Sequence, residues 1–532
     1  MGIPCYFSYI VKNHPKIIKK LENHTIQVNN LYLDCNSIIY DAVHNIDFTK
    51  LVESDIDTII RAVCAKIDEF ILQLKPNKNI FIAFDGIAPV AKLEQQRSRR
   101  YKSLYQNNVS KSIFKSTKAD PWNTTAITPG TFFMNKLNQK IYSRFNNPTE
   151  FNVENIIVSG SNDPGEGEHK LFEYIRSFPE EHQNNTIIYG LDADLIMLSI
   201  NHLPISNQIY LFRETPQFIK SINVDLEPNE SYLLDIPELA KTITLNMNND
   251  QELSTEQHKN RIYDYIFLCF FLGNDFMPHF PSVNIRTGGV DKMLNAYKAT
   301  IGGTNENLTD GKKIYWKNVR KLVQFLKENE EDFIKNETKL RDKREKNILP
   351  DNTLEDKFKK FESIPTYERS IEKFINPFKP NWQFRYYKAL FNLDIDDIRK
   401  KQICVNYLEG LEWTMKYYTS GCPDWRWCYN YNYPPLFCDL LEYIPFFDTE
   451  FIENKNANPV TDLVQLCYVL PKQSLHLLPE NLYKKLLNEH DEWYNTNCDY
   501  LWAYCRYFWE AHVILPHINI EELEFFVNHY TD

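Results

Sequence analysis

Basic residues are in short supply in this chain. Across 532 residues, 60 Lys and Arg stand against 71 Asp and Glu, a formal charge of −11. That weighs against a general nucleic-acid coat, though it leaves room for a local basic groove. Glycine is scarce at 15 and proline modest at 27, which excludes a collagen-like or Pro/Gly-rich disordered chain. Cysteine occurs 11 times, an odd number without a CxxC pair. Reduced thiols in an intracellular compartment are expected, the cytoplasm ahead of the nucleus, rather than a disulfide framework. Cys422, Cys428 and Cys438 lack the spacing of zinc ribbons and read as core thiols. The apolar run Tyr263–Leu272 falls far short of the ~20 residues that a membrane span needs. No signal-peptide pattern is seen at the N-terminus.

What the chain does have is apolar and aromatic mass, 43% and 14% of its residues, enough for large, ring-rich interiors. Its length predicts more than one domain. A first region is expected over 1–325, a charged helical connector over 326–375 and an aromatic-rich region over 376–532. In the first, apolar runs predict strands at Leu31–Asp34, Asn79–Asp85, Asn155–Ser159, Thr186–Leu191 and Gln208–Phe212. Helical spacing of Ile59, Ile60, Val63, Ile67, Phe70, Ile71 and Leu74 predicts a helix between the first two, and another is expected over Thr131–Phe145. Strand–helix alternation implies a doubly wound parallel sheet, with ligands beyond the carboxyl ends of its strands. Residues 215–260 read as polar and strand-poor, a loop or excursion.

Carboxylates gather where these runs end. Glu166 and Glu168 lie two residues apart, where Pro164-Gly165 opens a helix. Asp192 and Asp194 follow the fourth predicted strand, while Asp34 and Asp85 close the first two. Asp275 follows the apolar run Ile266–Leu272. Acids packed this densely repel one another and lose hydration. A helix N-cap explains any one of them but not all seven. Hard divalent cations, Mg²⁺ or Mn²⁺, do explain them. Asp34, Asp85, Glu166, Glu168, Asp192, Asp194 and Asp275 are therefore the candidate catalytic and metal-binding residues. The neighbouring His169 reads as an orienting residue rather than a base.

A basic helix is predicted directly after Asp85. Lys92, Gln96, Arg99 and Arg100 share one side of it, at spacings of four, three and one. Forked guanidiniums, a point charge and a neutral amide converging on one place make a phosphate cage. The stretch Lys339-Leu-Arg-Asp-Lys-Arg-Glu-Lys346 interleaves acids with bases and reads as a solvated connector. Beyond it come the rings Trp382, Tyr386, Tyr387, Trp413, Tyr417, Tyr418, Trp425 and Trp427.

Several segments, in order, resemble motifs of the Xrn family of 5′→3′ exoribonucleases. They are Met1-Gly-Ile-Pro, Leu33-Asp-Cys-Asn36, Phe84-Asp-Gly-Ile-Ala-Pro, Gln95-Gln-Arg-Ser-Arg-Arg, Pro164-Gly-Glu-Gly-Glu-His-Lys, Leu191-Asp-Ala-Asp-Leu and Gly273-Asn-Asp-Phe-Met-Pro. Arg385-Tyr-Tyr-Lys, Tyr407-Leu-Glu-Gly-Leu-Glu-Trp and Trp425-Arg-Trp427 continue the resemblance over nearly the whole chain. It implies an α/β fold, a PIN-like 5′-nuclease core with a twisted, mostly parallel sheet flanked by helices, plus a largely helical second region walling the active site. It implies processive removal of 5′-mononucleotides from single-stranded RNA bearing a 5′-monophosphate, with two Mg²⁺ ions that Mn²⁺ can replace. The seven acids match the family's metal set, and Lys92, Gln96, Arg99 and Arg100 match its 5′-phosphate pocket. Tyr40 stands where the family has a base-stacking His, and its facing partner is Trp425 or Trp427. A monomer is expected, in a short form without the long β-rich extension of the large cytoplasmic members. Two other readings stay open: a flap-type DNA endonuclease, of which Arg286-Thr-Gly-Gly-Val is a faint echo, and a catalytically silent RNA-binding scaffold.

Overall fold

The computed structural model describes residues 5–23, 25–48, 54–115, 122–393, 395–453 and 458–531. Seven strands form its main sheet: β1 (Ile18–Lys20), β2 (Asn30–Asp34), β3 (Asn79–Ala83), β4 (Asn155–Ser159), β5 (Thr186–Tyr189), β6 (Ile209–Glu214) and β7 (Ser231–Asp235). Their order is β1-β7-β6-β5-β2-β3-β4. Pairing is parallel from β6 through β4, and β7 and β1 add an antiparallel edge. β2, β3 and β5 are buried along their whole length, as expected of parallel strands covered on both faces. On one face Leu31, Leu33, Ile80 and Ile82 pack with Ile59, Val63, Ile67 and Phe70 of the Asp55–Leu74 helix. The other face, with Tyr32, Phe81 and Ile188, joins a core that continues into the second half of the chain.

The chain steps outward from β2 to β3 and β4, then returns to lay β5 on the opposite side of β2. The switch point of the sheet therefore falls between β2 and β5, where a crevice opens beyond the strand ends. Asp34 ends β2, and Asp192 lies three residues past β5.

Residues 215–260 depart from the expected loop. They hold β7, the Ile236–Met247 helix and the start of the Thr255–Phe270 helix. β7 is a five-residue strand near the sheet edge, too short to stand out among polar neighbours. Its last residue caps the next helix, Asp235 accepting from the Glu238 N–H at 3.1 Å. The apolar run before Asp275 is helix, not strand, and its helix is buried on every side from Arg261 to Phe270. Short apolar runs do not distinguish a buried helix from a strand. The charged stretch also differs from a solvated connector. One unbroken helix, Trp316–Glu345, crosses position 326 and, within that stretch, buries Leu326, Glu330, Ile334, Glu337 and Arg341.

The second half is mostly helical, with the helices Trp382–Phe391, Asp397–Thr419, Phe437–Tyr443, Asp462–Val469, Glu480–His490 and Ile520–Thr531. A small hairpin of β8 (Asp499–Leu501) and β9 (His512–Ile514) interrupts them. Among the described residues no helix is long and apolar enough to cross a membrane.

Candidate active site

The acids meet at the switch point. Asn36, the first residue of the Asn36–Asn45 helix, fixes Asp85: its Oδ1 accepts from the Asp85 N–H at 3.1 Å and its Nδ2 donates to Asp85 Oδ2. The Gly167 N–H donates to Asp85 Oδ1 at 2.7 Å. Glu166 and Glu168 flank that glycine at the start of the Gly167–Ser177 helix. A Cβ at Gly167 would stand 2.6 Å from Asp34 Oδ1, so the residue between the two glutamates has to be this small for strand ends and helix to close together. Carboxylate oxygens of Asp34, Asp85 and Glu168 lie within 4.8 Å of one another, as do ligand atoms of Glu166, Glu168 and His169. Lys92 Nζ pairs with Asp275 Oδ2 at 2.7 Å and with Glu166. Asp192 acts electrostatically on Asp34, and Asp275 on Asp194. Asp34, Asp85, Glu166, Glu168 and, through Lys92, Asp275 thus come together by contact, with Asp192 and Asp194 within range of their charges.

Their titration reflects crowding. Burial, then the charges of Asp85 and Asp192, push Asp34 well above the usual carboxylate range. Burial and Glu166 do the same to Glu168. Burial and Asp275 push Asp194 up to about 7. Asp275 goes the other way: burial opposes its charge, but the charge and hydrogen bond of Lys92, with other positive charge including Arg99, together hold its carboxyl well below the usual range. Asp34 Oδ1 and Asp194 Oδ1 are buried without a hydrogen-bond partner among the described residues. Unsatisfied, hard oxygen donors in a like-charged cluster fit a divalent cation.

The basic helix is Val90–Phe114. Lys92 sits among the acids rather than in a cage apart; burial would lower its ammonium, but Asp275 and Glu166 keep it charged. Arg100 donates to Thr128 Oγ1 at 2.6 Å and couples electrostatically to the half-buried Tyr40. Arg99 instead acts on Asp275 and Asp192. Gln96 is half-buried one turn from Lys92 and from Arg100. The two tryptophans differ. Trp427 is buried, stacked on Trp413 at 5.2 Å, and its Nε1 donates to Glu409 at 3.3 Å. Trp425 is half-buried, and its carbonyl accepts from Val90 N at 3.0 Å, at the start of the basic helix.

Several participants escape a reading of residue types. Tyr417, from the Asp397–Thr419 helix, donates to Glu166 Oε1 at 3.0 Å and lies flat on His169, ring centroids 3.8 Å apart. Burial and Arg176 hold His169 neutral. Lys170 Nζ donates to the Phe84 and Gly160 carbonyls, each at 2.8 Å, joining β3 to the glutamate helix. Lys170 and Asn36 stand inside motifs already noted, so adjacency was their signal. Tyr417 had only its place in a ring-rich stretch.

Comparison with known proteins accords with this geometry. Residues 1–215 match the family described as XRN 5'-3' exonuclease N-terminus, and residues 256–373 and 366–528 match the Xrn1 helical domain. The chain is 28% identical to 5'-3' exoribonuclease 1 of Saccharomyces cerevisiae over 90% of its own length and 40% of that protein's. It is 25% identical to a 5'-3' exoribonuclease 2 homolog of Drosophila melanogaster (98% of this chain, 70% of that protein) and 29% identical to 5'-3' exoribonuclease 1 of Homo sapiens (98% and 34%). The chain thus spans well under half of the yeast and human relatives.

Proposed function

The chain belongs to the Xrn family of 5′→3′ exonucleases, and from that premise we propose that it degrades single-stranded RNA processively from a 5′-monophosphate end, releasing 5′-mononucleotides. The observation that carries this reading is the junction at Lys92, where the basic helix reaches Glu166 and Asp275 of the acidic cluster. Bound divalent cations, two Mg²⁺ or Mn²⁺, would be held by Asp34, Asp85, Glu166, Glu168, Asp192, Asp194 and Asp275 and would supply an activated water and a stabilised leaving 3′-oxygen. Lys92 offsets the negative field that would otherwise repel a phosphodiester. Arg99, Arg100 and Gln96 orient the terminal 5′-phosphate, and a 5′-hydroxyl lacks the charge they attract. Tyr417 and His169 keep Glu166 facing the centre. Tyr40 and Trp425 clamp the first base, with stacking worth ~1–3 kcal/mol per base and little sequence preference. Trp427 is already occupied by Trp413, which favours Trp425 for this role. The nuclease core over 1–325 carries the acids, and residues 376–532 wall it. The enzyme acts as a monomer on intracellular RNA, in the cytoplasm ahead of the nucleus. The relatives' names support an exonuclease over a flap endonuclease or a silent scaffold.

RNAs labelled at either end and carrying a 5′-phosphate, hydroxyl or triphosphate, with Mg²⁺ or chelator, test the proposal. Mononucleotides should appear at once from the monophosphorylated RNA alone, and only with Mg²⁺. Asp192→Ala should abolish turnover, and Arg99→Ala with Arg100→Ala should erase the preference for phosphate over hydroxyl. Internal fragments, or no cleavage, would overturn the reading.

A further inference from the structure

A cavity of about 860 Å³ reaches Asp275 along a different flank of the basic helix. That helix contributes Gln95, Ser98 and Lys102 to the wall, a stripe at three- and four-residue spacing, whereas Lys92, Gln96 and Arg100 form another stripe. Arg99 lies between the two and also lines the cavity. The volume is in the range of small-molecule pockets, roughly 300–1,000 Å³.

The lining is specific in its chemistry. Arg99 and Lys102 bring positive charge, and Tyr429, Tyr431 and Trp509 bring flat rings. Three of the acids in the wall are engaged already: Asp275 by Lys92, Glu510 by Arg286 and Glu94 by the Tyr468 hydroxyl. Five buried polar atoms of wall residues have no partner among the described residues, namely Gln95 Oε1, Arg97 Nε, Asn274 Nδ2, His279 Nε2 and Arg426 Nη1. Lys102 Nζ donates to the Trp509 carbonyl at 2.9 Å. Engaged acids, unsatisfied donors beside an amide acceptor, cations and rings together suit a small anion joined to a flat heterocycle.

We infer that this cavity binds the nucleoside 5′-monophosphate released by each cleavage, giving the product a way out separate from the RNA path. The inference rests on the exonuclease reading: a processive enzyme keeps its RNA while each product leaves, and Tyr40, proposed above to hold the first base, lies by Arg100, on the other stripe of the basic helix. Arg99, common to both sides, passes the phosphate across.

The test uses adenosine 5′-monophosphate and the full chain in chelator, with binding followed by calorimetry. Lys102→Met removes a cation from the wall, and Ser98→Phe fills the space without removing any partner; a wild-type melting temperature checks that each folds, and either variant suffices. Binding should be seen for wild type, exceed that of adenosine or inorganic phosphate, and weaken about tenfold or more in each folded variant. In rapid-quench assays the variants should cleave the first nucleotide at the wild-type rate and later ones several-fold more slowly. Absent binding, binding indifferent to both changes, or wild-type rates through every cycle would overturn the inference. In those cases continued cleavage that depends on the 5′-phosphate leaves the exonuclease reading standing.

Discussion

Asp194 shows how a single carboxyl couples metal, proton and stability. Burial and Asp275 push it up to about 7, against an ordinary Asp value of 3.8. From about pH 4 to about pH 7 the ion-free folded chain therefore binds more protons than the unfolded chain. The stability from this group is present below that window and is lost as pH rises through it. Asp34 and Glu168, also pushed up, act with the same sign. In the proposed reading, a divalent cation would take the place of those protons. Millimolar Mg²⁺ should thus raise the melting temperature by an increment that grows from about pH 5 to about pH 8. Equal increments at both pH values would contradict the assignment of these acids as ligands. The two tryptophans separate in another way. Trp425→Ala should weaken RNA binding by about 1–3 kcal/mol and leave the fold intact. Trp427→Ala, which removes a ring packed on Trp413, should lower stability by about 3–5 kcal/mol. Filter binding and denaturant melts on both variants would show the opposite pattern if Trp427 were the stacking ring.

At the scale of elements, the long helix Trp316–Glu345 is locked in place by a buried ion-pair network. Arg341 forks onto Glu372 at 2.6 and 2.8 Å, and Glu372 also receives Arg369 Nε at 2.7 Å and the Tyr504 N–H at 2.8 Å. Arg341 further donates to the Pro365 and Cys505 carbonyls. Helix, following turn and C-terminal segment are thereby joined. Glu372→Gln should destabilise by roughly 3–5 kcal/mol, because it leaves Arg341 buried without its counter-charge, while Arg369 keeps Asp342 and Glu345; a change under about 1 kcal/mol in urea melts would mean that the network is dispensable. This network also marks where the sequence stopped being legible. The interleaved charges of 339–346 predict a solvated face from composition, yet the partner that buries Arg341 lies 31 residues away. By contrast, the strand ends bearing Asp34 and Asp85 were readable to within two residues, since apolar runs and their terminal acids are local signals. β7 and the helix before Asp275 were not, because a short strand and a seven-residue apolar run carry no period that sets them apart. The convergence of acids could be foreseen from parallel-sheet topology, but the approach of Tyr417 could not: nothing local ties position 417 to position 166.

For the whole molecule, that last contact decides whether the first half can be an enzyme alone. One apolar core runs from Tyr6 through Trp316 and Trp413 to Ile452. Phe276, next to Asp275, packs edge-on to Trp413 at 5.0 Å, and Phe280 stacks on Phe437 at 3.9 Å. Removing the second half would expose these rings and take Tyr417 from Glu166, although every acid and the complete Trp316–Glu345 helix would remain. A buried glutamate without its donor, in an apolar wall open to water, has little to hold its orientation. A chain ended at Pro350 should therefore bind a hydrophobic dye, melt without a sharp transition, and show no rise in melting temperature with Mg²⁺. If that shortened chain melted cooperatively and kept the full Mg²⁺ increment, the acids would be organised by the sheet alone, and the second half would serve only to enclose RNA.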